Sequence, residues 1–388
     1  MSKLFKGGRL NDTALLAREA IQNSADAAHR FQEAHPGVAF RVVFRFVELL
    51  GEEKANAVEA LNLRRLADRR VDYHRKDPVQ PGTALDDLDD LNVPLSLLYV
   101  EDYGTHGLYG SIDIRLKSHL FKAMYYIGAS DKDADAGGSY GFGKSALERA
   151  SRTHSVIAHT TFEQFEDDPV RSRLVGFTWW PNLQDGNELW EGRASFSEHF
   201  SEGAGSHVAT PFEGNKADEV AGFLGFQPRN PDDLGQLGSS FLIVDPSIDP
   251  HELVREVERW WWPALEEHRL DVRILLPSGE ALVPKPASNP FVAQFLRAFR
   301  IATGVDEAGD PNKERLASEE WRDRSGIGGK DLGALALVVT DEVMDGGEPD
   351  STPLVALMRS PRMVIDYMTF QRRRVPMRGV FVASVACR

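Results

Sequence analysis

One cysteine in 388 residues, Cys387 beside the last arginine, excludes an intramolecular disulfide and a cysteine-held metal cluster. Stability must then come from a hydrophobic core, and a chain of this length has room for two domains or one large one. No apolar run approaches the roughly 20 residues that a membrane span needs, and Met1-Ser-Lys-Leu-Phe-Lys6 lacks a secretory hydrophobic stretch. The expectation is a cytoplasmic protein that does not enter a membrane. Positive charge is also scarce, since 45 Lys and Arg against 59 Asp and Glu leave a formal net charge of −14. This argues against a stand-alone nucleic-acid binder, which neutralises phosphates with clustered cations. One local cluster, Arg372-Arg373-Arg374 with Arg359, Arg362 and Arg378, reads equally well as a basic patch or as a solvated turn between strands. His154 and His159 lack the spacing and acidic partner of a zinc site.

Three segments carry chemistry. In Ala17-Arg-Glu-Ala-Ile-Gln-Asn-Ser-Ala-Asp-Ala27, Glu19, Asn23 and Asp26 fall on one face of a predicted helix. Leu15, Leu16, Ala20, Ile21, Ala25 and Ala27 leave little of that helix suited to water, so its polar stripe is expected to wall a cavity. A carboxylate, an amide and a second carboxylate in this order suit a general base, a metal-ligating amide and an anchoring acid. Further along, the strand-forming run Leu95-Ser-Leu-Leu-Tyr-Val100 leads into Glu101-Asp102-Tyr-Gly104-Thr-His-Gly107. An Asp at a strand end can accept from an exocyclic amine such as that of adenine, and nearby glycines let backbone approach a flat ring. The third segment, Gly137-Gly-Ser-Tyr-Gly-Phe-Gly-Lys-Ser145, opens the helix-forming stretch Ala146–Ala150 and offers backbone amides to phosphate. Gly138 to Ser145 also fits the P-loop pattern Gly-x-x-x-x-Gly-Lys-Ser. A P-loop needs a buried strand directly before it, and Ser130-Asp-Lys-Asp-Ala-Asp-Ala136 is not one, although Leu335–Glu342 offers a distant acidic strand.

In order and content these segments resemble the GHKL ATPases, the superfamily of gyrase B, the ninety-kilodalton heat-shock chaperones, histidine kinases, MutL and MORC proteins. Glu19 to Ala27 looks like the family's first box, Asp102 to Gly107 like its adenine box, and Gly138 to Ser145 like its glycine-rich lid. Leu237-Gly-Ser-Ser-Phe-Leu-Ile-Val244 resembles the Gly-Thr strand, with Ser239 in place of the usual threonine. The resemblance implies an α+β fold with a Bergerat-type α/β sandwich at 1–245, carrying an insert at about 51–92 and a lid at about 129–145. A smaller transducer-like α/β domain would follow at 246–388. It implies ATP and Mg2+ as cofactors, Glu19 as the base that activates water and Asn23 as magnesium ligand. Asp102 would read the adenine amine with help from Ser239, Gly104 and Gly107 would line the base, and Asp26 would brace the pocket. Gly138, Gly141, Gly143 and Ser145 would close over the phosphates, with Lys144 neutralising charge on the departing phosphate.

The mixed-charge insert, from Gly51 to Asn92, is expected to be a helix plus a solvated loop. His251–His268 is predicted helical, and Trp260-Trp261-Trp262 is expected to pack between domains. Strands are expected at 272–276, 335–340, 354–358, 363–367 and 380–384. Lys330, Lys285 or Arg359 would send the transducer's cation to the nucleotide. Phe5-Lys-Gly-Gly-Arg-Leu10 would strap a partner in an ATP-bound homodimer within a larger, MORC-like or antiviral defence-type assembly. Two other function classes stand beside the hydrolase: histidine-kinase-type phosphotransfer, which the presence of Glu19 argues against, and a nucleotide-sensing scaffold without turnover.

Overall fold

The computed structural model describes residues 10–74, 76–110, 118–125, 145–165, 168–185, 188–203, 206–317, 333–340, 344–345, 348–349, 352–359, 362–369 and 376–383. The chain divides into two compact units, one of Asn11–Pro250 with Val272–Val283, the other mainly of His251–Asp271 and Pro284–Arg388. The sequence reading set the boundary at 245; the units divide five residues later, and a short hairpin returns to the first unit.

The first unit opens with α1 (Asp12–Ala34), started by Asn11, whose side chain accepts from the Ala14 amide at 2.8 Å. There follow β1 (Arg41–Leu49), α2 (Gly51–Ala60), α3 (Leu63–Arg70), β2 (Leu95–Tyr103), α4 (Ala146–Arg149), β3 (Ser155–Thr161) and β4 (Ser172–Trp179). Then come β5 (Leu183–Asp185), β6 (Glu188–Trp190), β7 (Arg193–Phe196), β8 (His199–Gly203), β9 (Ser206–Thr210), β10 (Phe212–Glu213), α5 (Asn215–Phe223) and β11 (Gly238–Val244). After α6 (Pro250–Glu266), the strands β12 (Asp271–Leu275) and β13 (Ala281–Leu282) complete a nine-stranded sheet of order β10-β4-β3-β11-β2-β1-β12-β13, with β7 also on β4. The pairs β1–β2, β2–β11, β11–β3 and β3–β4 are antiparallel. The sequence placed the 272–276 strand in the second module. It joins the first sheet because its alternation, Val272 and Ile274 buried around exposed Arg273, suits a sheet neighbour whichever unit supplies it.

Side-chain alternation gives the sheet two faces. On one, Leu95, Leu97 and Tyr99 of β2 stand beside Leu242 and Val244 of β11 and Ile157 of β3. Val58, Leu61, Leu63, Leu85 and Leu88 from the region between β1 and β2 cover this face together with Ala217 and Ala221 of α5. The stretch expected to be a solvated insert is thus half of a core. Glu52, Glu53, Glu59, Arg64, Arg65 and Asp68 of this stretch do face water, whereas Lys54 is 0% exposed and donates to the carbonyls of Asp87 (2.6 Å), Asp90 (2.8 Å) and Val93 (2.9 Å). Lys54→Met fills the same space but leaves three buried carbonyls without their donor. The expected loss is about 3 kcal/mol, read as a lower urea midpoint with unchanged slope.

On the other face, Phe44 of β1, Val100 and Asp102 of β2, Ser239 and Phe241 of β11, and Ala158 and Thr160 of β3 line up. Leu120 and Met124, in the helical segment 119–125, pack on Ala158, Val175 and Phe177 of this face. Ser24 of α1 reaches Asp102 and so sets α1 over the β2 end.

The second unit has α6, α7 (Pro290–Ala302), β14 (Glu314–Leu316), β15 (Gly333–Val339), the two-residue strands β16 (Met344–Asp345) and β17 (Glu348–Pro349), then β18 (Leu354–Arg359), β19 (Met363–Thr369) and β20 (Met377–Ala383). Its five-stranded sheet runs β14-β15-β20-β18-β19, with β18 and β20 parallel and the other neighbours antiparallel. Two of the tryptophans expected to pack between domains, Trp260 and Trp262, make contacts inside this unit. Trp262 Nε1 donates to the Tyr367 hydroxyl at 3.1 Å and its ring meets Phe299 edge-on at 5.1 Å, while Trp260 lies 5.7 Å from Tyr367. Arg378, counted above in a surface patch, is buried and donates to Gln294 Oε1 and the Thr352 carbonyl, both at 2.8 Å. Arg362 pairs with Glu267 at 3.1 Å, and Arg372, Arg373 and Arg374 lie outside the described residues. The protein is therefore mixed α+β with one large sheet. No helix among the described residues is long and apolar enough to cross a membrane.

Candidate functional site

The apolar run of β2 delivers Asp102, 6% exposed, to the end of a central strand. Three chain segments meet its carboxylate. Oδ1 accepts from Thr105 Oγ1 at 2.6 Å and from the Ser239 backbone amide at 3.0 Å, and Oδ2 from Ser24 Oγ at 3.3 Å. Thr160 Oγ1 extends the network to the Gly238 carbonyl (3.2 Å) and Ser239 Oγ (3.3 Å), and accepts from the Leu108 amide at 2.8 Å. A Cβ on Gly238, at φ +147°, would stand 2.4 Å from the Asp102 carbonyl oxygen, so only glycine lets β11 come this close. Gly104, at φ +72°, has the same constraint against the Ala39 carbonyl, 2.2 Å from a built Cβ. Gly107 follows at the turn, its amide donating to Thr105 Oγ1 at 3.3 Å.

The first-box residues divide by environment. Glu19 is 8% exposed. Asn23 and Asp26, expected to line a cavity wall, are exposed together with Arg30, whose Nε donates to the Asp26 carbonyl at 3.3 Å. The reason is that the apolar stripe of α1 holds Leu16, Ile21 and Ala28 inward, and the face carrying Asn23, Asp26 and Arg30 turns away from them. Ser145 is half-buried at the start of α4, and Arg149 of that helix pairs with Asp12 in the first turn of α1. Gly138, Gly141, Gly143 and Lys144 lie outside the described residues, as do Lys330, Phe5 to Arg9 and Cys387. Lys285 is exposed and Arg359 half-buried.

Beyond Gly107 the loop is fixed by a buried ion-pair network. Arg173 of β4 grips Asp168 with two parallel bonds (2.8 and 2.6 Å) and Glu213 with a third (2.7 Å). Its Nη1 also donates to the Gly110 carbonyl at 2.9 Å, and the Gly110 amide donates to Asp168 at 3.3 Å. Burial opposes the Arg173 charge, but the bonds from Asp168 and Glu213 outweigh it and hold the pKa above the ordinary value. Nearby, burial and then the adjoining His106 ring push the His119 pKa down to about 4.

Sequence reasoning gave no role to Ser24, Thr105 or Thr160. Ser24 and Thr105 sit inside the quoted boxes, yet a hydroxyl carries no signal of which strand end it will meet.

The arrangement offers a buried, ordered carboxylate for an amine donor and, on α1, a carboxylate and an amide spaced one turn apart. Among the described residues no three His, Cys, Asp or Glu side chains gather to hold a metal. A magnesium carried mainly by phosphate and water needs few protein ligands, and an amide such as that of Asn23 can be one. A hollow of about 690 Å3 on the opposite face, lined by Leu61, Leu63, Leu66, Ile157 and Phe196 with Arg69, contains none of these residues. The P-loop pattern fares less well, because the helix after Ser145 is only Ala146–Arg149 and the 333–339 strand belongs to the other unit's sheet. Comparison of the chain with protein-family models and with curated proteins gives no match.

Proposed function

We propose that the first unit binds ATP with magnesium at the Asp102 end of the sheet and hydrolyses it, in the manner of the GHKL ATPases that the sequence resembles. The observation that carries this reading is the convergence of Ser24, Thr105 and Ser239 on Asp102 from segments far apart in the chain. Three donors fix the orientation of the carboxylate, as a reader of an exocyclic amine requires. Glu19 would orient and deprotonate the attacking water, and Asn23 would hold a magnesium that arrives with the triphosphate and would supply positive charge to the phosphates. On sequence grounds Gly138, Gly141, Gly143, Lys144 and Ser145 complete the phosphate side, and ATP drives a conformational change and homodimerisation within a larger, MORC-like or defence-type assembly. Such coupling requires ATP to bind the closed state more tightly than the open one.

Phosphate release from ATP with and without magnesium tests the reading, with transfer of labelled phosphate to protein measured alongside. Magnesium-dependent release without protein labelling is the expected result. Label on the protein supports a kinase instead, and tight binding without release supports a nucleotide-sensing scaffold.

A further inference from the structure

The face of the sheet turned away from Asp102 carries the hollow of about 690 Å3, bordered by α3 and by β3, β4 and β7. All of its lining belongs to the first unit. Strand register explains the space. Ser155 of β3 stands opposite Thr178 of β4, and Thr178 opposite Ala194 of β7, so three small side chains adjoin there, beside the row that holds Ile157 and Phe196. The Ser155 and Thr178 hydroxyls bond each other at 2.7 Å, which leaves a floor that needs no polar partner. Leu63, Leu66, Ile157 and Phe196 supply apolar wall. The volume falls in the ordinary range for small-ligand sites, roughly 300–1,000 Å3.

The charge at this hollow comes from one helix. Of the four arginines in α3, Arg64 pairs with Asp89, and Arg70 with Asp77 and Asp86. Arg65 and Arg69 are the two that border the hollow, and among the described residues neither makes an ion pair. They stand four residues apart on one helix face, where like charges repel. Asp68 and Asp72 also border the hollow, but both are exposed and neither pairs with these arginines. Arg69 is half-buried and held in place. Its Nη2 donates to the Glu191 carbonyl at 3.2 Å, and its guanidinium lies 5.4 Å from the Trp180 ring, which Tyr73 meets edge-on at 5.5 Å. Arg193 reaches the hollow's edge as well, but its guanidinium lies over Phe177, 4.1 Å away, on the other face.

We propose that the hollow binds a small amphipathic carboxylate, its hydrocarbon part against Leu63, Leu66, Ile157 and Phe196 and its carboxylate at Arg65 and Arg69. An anion there relieves the repulsion of two cations one turn apart, and a carboxylate matches the guanidinium fork in shape and charge. The apolar wall disfavours a ligand that is charged throughout, which would lose its hydration there without compensation. This site does not depend on the nucleotide one, so ATP binding should be the same in every variant below.

Titration calorimetry of the full chain with decanoate and with decylamine, which carries the same chain and the opposite charge, tests this. Wild type is expected to bind one decanoate and to bind decylamine at least about tenfold more weakly. The double variant Arg65→Gln with Arg69→Gln should weaken decanoate about tenfold or more, the worth of hydrogen bonds to a charged group, and leave decylamine no weaker. Ala194→Trp fills the hollow and should abolish decanoate binding with the thermal midpoint kept. If the double variant does not fold, Arg65→Gln alone, at an exposed position, should cost about two- to fivefold; if Ala194→Trp does not fold, Leu66→Trp replaces it. The comparison of the two ligands on wild type needs no variant. Wild type that binds no decanoate, equal affinity for decanoate and decylamine, or decanoate binding unchanged in the folded arginine or tryptophan variants overturns the proposal.

Discussion

Glu19→Ala is expected to bind ATP nearly as well as wild type and to lose turnover by about 10²- to 10⁴-fold, the usual worth of a positioned general base. Glu19 is five residues before Ser24, the α1 residue tied to Asp102, so both ends of a bound nucleotide would lie along a single helix. A base acts on water in the transition state and contributes little to ground-state binding, which is why turnover and affinity should separate. Glu19→Gln keeps the shape and should fail equally. Binding calorimetry with single-turnover phosphate release measures the two quantities; a variant that keeps its turnover removes Glu19 from the mechanism.

The second large effect concerns stability. Arg173→Met is expected to cost about 3–5 kcal/mol, because Asp168 and Glu213 lose the cation that compensates them and Asp168 is buried. The double variant Arg173→Met with Asp168→Leu should recover a good part of that loss, since a buried pair replaced whole costs far less than one broken. Urea unfolding of the two single variants and the double one gives the coupling. The network also grips Gly110, at the end of the loop that begins with Gly104. Arg173→Met should therefore weaken nucleotide binding more than other variants of equal stability.

What could be read from the sequence follows from how local each signal is. Asp102 was legible because an uninterrupted apolar run, Leu95–Val100, ends in acids and glycines, and burial of that run places the acid. The inward face of α1 was legible from its 3.6-residue pattern. The exposure of Asn23 and Asp26 was not, since periodicity says which residues share a face and not what covers it. Lys54 reads as a surface lysine in a Glu-rich helix, and only the path of residues 87–93 around its ammonium group makes it internal. The 272–276 strand was visible, but its sheet was not, because alternation does not name a partner. Three adjacent tryptophans promised a large contact without naming its other side, which for Trp260 and Trp262 includes Tyr367.

The most direct test of the Asp102 site is ATP binding by wild type, Asp102→Ala and Lys144→Ala, each checked for folding. Wild type should bind, Asp102→Ala should lose about a hundredfold in affinity because the ligand amine loses its charged acceptor, and Lys144→Ala should still bind. Normal binding by Asp102→Ala, with loss confined to Lys144→Ala, would contradict the account and place the nucleotide on the Gly138–Ser145 loop as a P-loop.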